Sequence, residues 1–335
     1  MAECKYVSAI GILESCKINN NGIIPYSGRL KYIDINKVND GDTIYIHPEL
    51  LRRFVIKKLP YMKKYFILVT GLRDHVIPYE ALSNDEFDTL INNKYLIHWY
   101  AQNLNINHFK MSIIPIGLDY NVSKTNTMEI NLNSIEQEKI LISIINTGEP
   151  FLNRIHKIYN TSHLFLDRFG ERQYAKNSIP EDLIIHQKER IPRTRMWNEY
   201  IKYAFILSPI GYGYDCHRTY EALCLGCIPI MKKIPPLEKI FENLPVLFVN
   251  DYTDINKALL EDTLYTYSNN TFDYSKLKLK YWMDKINGSN ESDELNIINE
   301  SEKPKKPKEL KESKESKELK KSKKPKKSKK SKKSH

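Results

Sequence analysis

Residues 205–230 read Phe-Ile-Leu-Ser-Pro-Ile-Gly-Tyr-Gly-Tyr-Asp-Cys-His-Arg-Thr-Tyr-Glu-Ala-Leu-Cys-Leu-Gly-Cys-Ile-Pro-Ile. A buried strand, Ala204–Ser208, runs into a loop over Pro209–Tyr214, where Gly211 and Gly213 permit close backbone approach. A helix follows from Asp215 to Leu225, capped by Asp215 or its neighbour and stopped by Gly226. The chain then re-enters a sheet at Ile228–Met231. Free N–H groups and the positive end of the helix dipole would face the crevice at the strand ends, an anion site suited to a pyrophosphate. Arg218 adds a planar, always-charged donor fork. Glu221, at i+3 on the same side, is placed to accept hydrogen bonds from two ribose hydroxyls. Tyr220, Leu223, Cys224 and Cys227 form the opposite stripe and are expected to face the core.

Downstream, the same alternation continues with a short helix at Pro236–Glu242, a strand at Val246–Val249 and a helix at Thr253–Thr266. This is a βαβαβ unit, the half-domain that commonly binds nucleotides. A last helix is expected around Phe272–Ile286. Upstream, Thr43–His47 is a strand after the turn Asn39-Asp-Gly-Asp42, in which Asp40 and Asp42 read as turn residues, not as a metal motif. Pro48 opens a helix carrying Leu50, Leu51, Phe54, Val55 and Leu59 at helical spacing. Phe66–Thr70 is a buried strand ended by Gly71, Ser83 opens a helix, and Met111–Ile116 is apolar and closes at Gly117. Leu96–Ala101 has no clear pattern. Residues 121–138 read as a polar linker, and Ile140–Ile145 as a further buried strand. Strands alternating with helices predict an α/β fold with mostly parallel sheet and helices on both faces.

Charge is divided unevenly. Residues 301–335 hold 17 Lys and 5 Glu, so the first 300 carry 35 basic and 36 acidic groups. The body is thus no basic nucleic-acid-binding surface. The Lys-rich segment is read as a disordered tail from residue 290, able at most to contact polyanions. No apolar run approaches the roughly 18 residues of a spanning helix, and the start of the chain lacks the pattern of a secretory signal. Five cysteines, few and odd, suit a reducing compartment, so a cytoplasmic or virion-associated protein is expected. The adjacent Cys216-His217 and the Cys224/Cys227 pair on the buried side argue against a metal site.

The stretch at 205–230 resembles the nucleotide-sugar half of exostosin-like glycosyltransferases. Ser208, Pro209, Gly211, Gly213, Asp215, His217, Arg218, Glu221, Leu223, Gly226, Ile228 and Pro229 match that family's motif. Leu244–Asp251 looks like its following strand, and Ile67–Pro78, Trp99–Asn103 and Ile114–Asp119 are fainter echoes. Two departures stand out: Tyr212 where many relatives carry Asn, and Arg73 where Ser is usual before Asp74. The resemblance implies two facing Rossmann-like domains of the GT-B type. An acceptor domain would span 1–125, a donor domain 126–289, and a tail 290–335. It implies inverting, metal-independent transfer from a nucleotide sugar, expected to be a UDP-sugar, to a hydroxyl or glycan acceptor, with no cofactor. Such a step needs a base, for which Asp74 is the first choice, with His75, His47 and Asp119 as rivals. Arg218 and the 215–218 helix start would stabilise the leaving diphosphate. Ser208, Gly211, Gly213, Asp215, His217, Arg218 and Glu221 would hold the donor, while His47, Asn103 and Asp119 would face the acceptor. The alternatives are a non-catalytic nucleotide- or glycan-binding relative, or a scaffold acting through the Lys-rich tail.

Overall fold

Apolar runs buried on both faces need parallel sheet covered by helices, and two such sheets are present. A computed structural model of the chain describes residues 4–19, 33–120, 132–162 and 167–288. After α1 (Ala9–Ser15), the first sheet is built from β1 (Asp42–Ile46), α2 (Pro48–Lys57), β2 (Phe66–Thr70), α3 (Asn84–Ile91), β3 (Leu96–Ala101) and β4 (Met111–Ile113). Its strands lie in sequence order, all parallel, with Leu68 between Ile44 and Trp99. Helix α3 starts on a capping box, Ser83 with Glu86, which fixes its first turn.

The second sheet follows α4 (Ser134–Ile145). It comprises β5 (Ile155–Asn160), α5 (Glu171–Ser178), β6 (Ile184–His186), α6 (Arg193–Tyr200), β7 (Tyr203–Leu207), α7 (His217–Cys224), β8 (Ile228–Lys232), α8 (Glu238–Phe241) and β9 (Leu247–Val249), then α9 (Lys257–Ser268) and α10 (Leu279–Ile286). The order is β6-β5-β7-β8-β9, again parallel. The chain changes direction across the sheet between β5 and β7, the switch point where open α/β sheets form a ligand crevice.

Ile140–Ile145 is not a strand but the last half of α4. Asn133 and Glu136 form its capping box, and Leu141 and Ile144 are buried along one face. The β-branched content of that run outweighed the cap when read locally. Leu96–Ala101, which showed no pattern, is β3. The strand in Met111–Ile116 stops at Ile113, and α9 begins at Lys257 after a 3-10 turn over Tyr252–Asp254. The closing helix is a 3-10 turn, Tyr274–Leu277, followed by α10. The tail at 290–335 and residues 121–131 of the linker lie outside the described residues.

One apolar core runs through both sheets, holding Ile12, Trp99, Leu118, Tyr220 and Trp282. A second lies on the far side of the second sheet, around Phe205, Leu207, Ile228, Ile230 and Leu260. Strand β7 feeds both, since Ile206 points into the first and its neighbours into the second. Helix α10 returns to the first sheet, where the Tyr100 hydroxyl donates to the Lys285 carbonyl at 3.1 Å. The N-terminal segment is stitched alongside: Val7 N–H donates to Leu277 O at 2.8 Å, and Leu279 N–H to Lys5 O at 3.0 Å. Among the described residues, no helix is long and apolar enough to cross a membrane.

Candidate active site

A cavity of about 350 Å³ lies where strand ends of both sheets meet. Asp74, Ile116 and Asp119 line it from the loops after β2 and β4. Thr161, Arg172 and Arg193 line it from the segments after β5 and β6, and Tyr212 to Glu221 from the loop and helix after β7. Its size falls in the range of small-molecule sites, about 300–1,000 Å³.

The loop entering α7 is fixed by contacts across the cavity floor. Asp215 is 3% exposed, and its Oδ2 accepts from Ile116 N–H at 2.8 Å and the Tyr220 hydroxyl at 2.7 Å. Its backbone N–H donates to Asn103 Oδ1 at 3.0 Å, and Asn103 Nδ2 donates to the Arg73 carbonyl at 3.2 Å. Cys216, not Asp215, holds the N-cap position. Asp215 therefore ties the α7 entry to the first sheet, and Asn103, expected on the acceptor side, is buried in the same tie. Gly213 serves it too: a Cβ there would sit 2.9 Å from Asn103 Nδ2. Gly211 N–H donates to the Gly213 carbonyl at 3.2 Å, closing the turn. Ser208 is buried, its hydroxyl 2.8 Å from that of Thr219 inside the core. Neither Ser208 nor Gly211 lines the cavity.

Charge is arranged unevenly around the opening. Arg193, at the start of α6, donates to Asp119 Oδ2 at 2.7 Å and lies 3.7 Å from Glu221 Oε1. Burial pushes the Glu221 carboxyl above the usual range, and Arg193 opposes that rise. The i,i+3 partner on the sequence, Arg218, makes no ion pair with Glu221; among the described residues its Nη1 is buried without a hydrogen-bond partner. Arg172, in α5, is 6% exposed, and its Nε donates to the Ile210 carbonyl at 3.3 Å. Burial, then the charge of Arg218, both lower the Arg172 pKa. The two arginines thus line one cavity with their like charges opposed, and among the described residues a buried N–H of Arg218 has no acceptor. An oxyanion between them would relieve both penalties. Arg172, Arg193, Thr161 and Tyr200 were not picked out from the sequence. The one available signal was Gly170, in the left-handed region at φ 72°, immediately before Glu171-Arg172 at a helix start.

Asp74 lines the cavity as an exposed side chain, whereas His75 and His47 do not line it. His47 is 1% exposed, with both ring nitrogens unpartnered among the described residues. Burial, then the charge of Arg73, brings its pKa down to about 4 from the ordinary 6.5. His98 is pushed down to about 4 as well, mainly by burial. A depressed imidazole stabilises the fold above pH 6.5 and loses that contribution as pH falls through 4. Asp215 runs the other way. Burial lifts its carboxyl to about 6, so its contribution is full below its ordinary value and lost as pH rises through 6. The histidines prevail, and urea unfolding should show stability falling on acidification from pH 6.5 to 4. His47 alone should contribute on the order of 3 kcal/mol, and His47→Gln should flatten the slope. An unchanged slope would place that ring in water. Among the described residues, no group of three or more His, Cys, Asp or Glu is placed to hold a metal ion.

No protein-family model matches the sequence, and no curated protein matches it. Among solved structures, the chain is similar to one in the crystal structure of a GtfA/B complex. Identity is 12% and the TM-score 0.31, over 79% of this chain and 58% of that one. The chain spans less than two thirds of that relative. A likeness this loose fixes neither fold nor activity.

Proposed function

We propose that the protein is a glycosyltransferase that takes a UDP-sugar as donor and a hydroxyl, on a glycan or another molecule, as acceptor. The observation that carries the reading is Arg218 Nη1, which among the described residues is buried without a hydrogen-bond partner in the lining of a strand-end cavity that Arg172 also lines. Buried polar groups are as a rule hydrogen-bonded, so this N–H calls for a partner, and a diphosphate oxygen would supply one. In this reading the donor diphosphate lies between the two guanidinium groups, at the start of α7. Glu221 then accepts from the ribose hydroxyls, with Arg193 behind it. The acceptor enters past Asp74 and Tyr212. The two-domain GT-B division at residue 125, the inverting course and the independence from metal rest on the exostosin-like motif at 205–230.

The transfer forms a bond from the acceptor oxygen to the anomeric carbon and breaks the bond from that carbon to the diphosphate. The bonding pair leaves on the diphosphate, where fixed cations stabilise it more than they stabilise the bound donor. A base takes the hydroxyl proton. UDP at a hundred times its Kd should stabilise the protein by about 2.7 kcal/mol, a rise of roughly 5 °C or more in Tm for a chain of this size. Glu221→Ala should weaken UDP binding in calorimetry without unfolding the protein. An unmoved Tm with UDP at millimolar concentration would end the donor reading.

A further inference from the structure

We propose that His217 is the group that takes the acceptor's proton, an inference that rests on the donor reading above. His217 opens α7, and its Nδ1 lies 2.7 Å from the Gly117 carbonyl oxygen. A carbonyl can only accept, so Nδ1 carries the hydrogen, and the neutral ring keeps its lone pair on Nε2. Among the described residues Nε2 has no partner, yet it is not sealed off: the ring lines the cavity, one residue before Arg218.

The carbonyl that pins the ring is itself held. Gly117 is in the left-handed region at φ 67°, and a Cβ there would meet the Val7 carbonyl oxygen at 2.2 Å. On either side of it, Ala9 N–H donates to Ile116 O and Leu118 N–H to Val7 O, each at 2.8 Å. Only glycine fits this crossing of two chain segments, and it sets the position of its carbonyl.

The other titratable groups at the cavity are less suited. Asp74 is exposed, and no hydrogen bond holds it among the described residues. Asp119 and Glu221 are engaged by Arg193, and Asp215 accepts from Ile116, Tyr220 and Cys216. Among the described residues at the cavity, His217 combines a fixed orientation with an open lone pair. Asp215 and Glu221 act on it electrostatically, and Asp119, Arg172, Arg193 and Arg218 line the same cavity. The acceptor's proton passes to Nε2 while its oxygen bonds the anomeric carbon, and the electron pair of the broken bond leaves with UDP toward Arg172 and Arg218.

His217→Asn is the decisive variant, because the Asn amide can still donate to the Gly117 carbonyl while nothing replaces Nε2. UDP should raise its Tm as it does in the natural chain. UDP release from UDP-glucose, UDP-galactose or UDP-N-acetylglucosamine should fall about 100-fold or more, the usual share of a general base. In His217→Ala, added imidazole should restore part of that rate, which a purely structural histidine would not allow. Normal UDP binding with turnover within a few-fold in His217→Asn overturns this proposal alone. So does loss of turnover in Asp74→Asn with His217→Asn normal, or a natural chain that binds UDP yet releases none from these donors. Failure of UDP to move the natural chain's Tm sinks the donor reading, and this proposal with it.

Discussion

Arg218→Met is expected to leave the melting temperature unchanged or raise it, while UDP affinity falls about 100-fold or more, or at least about 2.7 kcal/mol. Most substitutions of partly buried residues destabilise, so the combination is informative. Without ligand, Arg218 has a buried Nη1 with no partner among the described residues, and it lies near enough to Arg172 to lower that residue's pKa. Met keeps the apolar stem packed and removes both the unmet donor and the repulsion. With ligand, the same change deletes one of two cations facing the diphosphate, a loss of about 2–5 kcal/mol when a buried charged pair is broken. Differential scanning fluorimetry and calorimetry with UDP read the two effects separately. A large drop in Tm with unchanged UDP affinity would make Arg218 structural and empty the anion site of its argument.

Arg193→Ala should do the reverse to stability. It strips the cation from Glu221, whose side chain is 6% exposed, and from Asp119, and it removes the hydrogen bond to Gln137 Oε1. Leaving a buried carboxylate without its partner costs about 3–5 kcal/mol, on the order of 10 °C in Tm for a chain of this size. Adding Glu221→Gln to Arg193→Ala should recover part of the loss, because a neutral amide tolerates the vacated site. A fall of less than about 2 °C in the single variant would show that water already screens the triad.

These two arginines also mark the limits of what a linear reading reveals. The strand, loop and helix at 205–230 are local, so spacing alone puts Arg218 and Glu221 one turn apart on α7, and both line the cavity. Their partners were not. Arg193 reaches Glu221 from another helix, and Asp215 meets Ile116 from 99 residues away. Strand β5 carries exposed Ile155, His156 and Lys157, so the stretch leading to Arg172 showed no apolar run. Gly213 was legible as a close approach, but the approaching group is Asn103, not a ligand. His47 and His75 follow strands, as a ligand-facing loop should, yet position along a strand says nothing about which side of the loop a ring takes.

The return of α10 to the first sheet bears on how the protein can be dissected. The segments at Lys5–Val7 and Leu277–Leu279 hydrogen-bond side by side, so the first described residues are tied to the segment that leads into α10. A fragment ending near residue 125 would lose Trp282 and Ile286 from its core and should aggregate, whereas a circular permutant joining residues 4 and 288 by a linker long enough to run back along α10 should keep these buried contacts. Separate expression of the two halves is the wrong experiment for this topology; rejoining the termini is the right one.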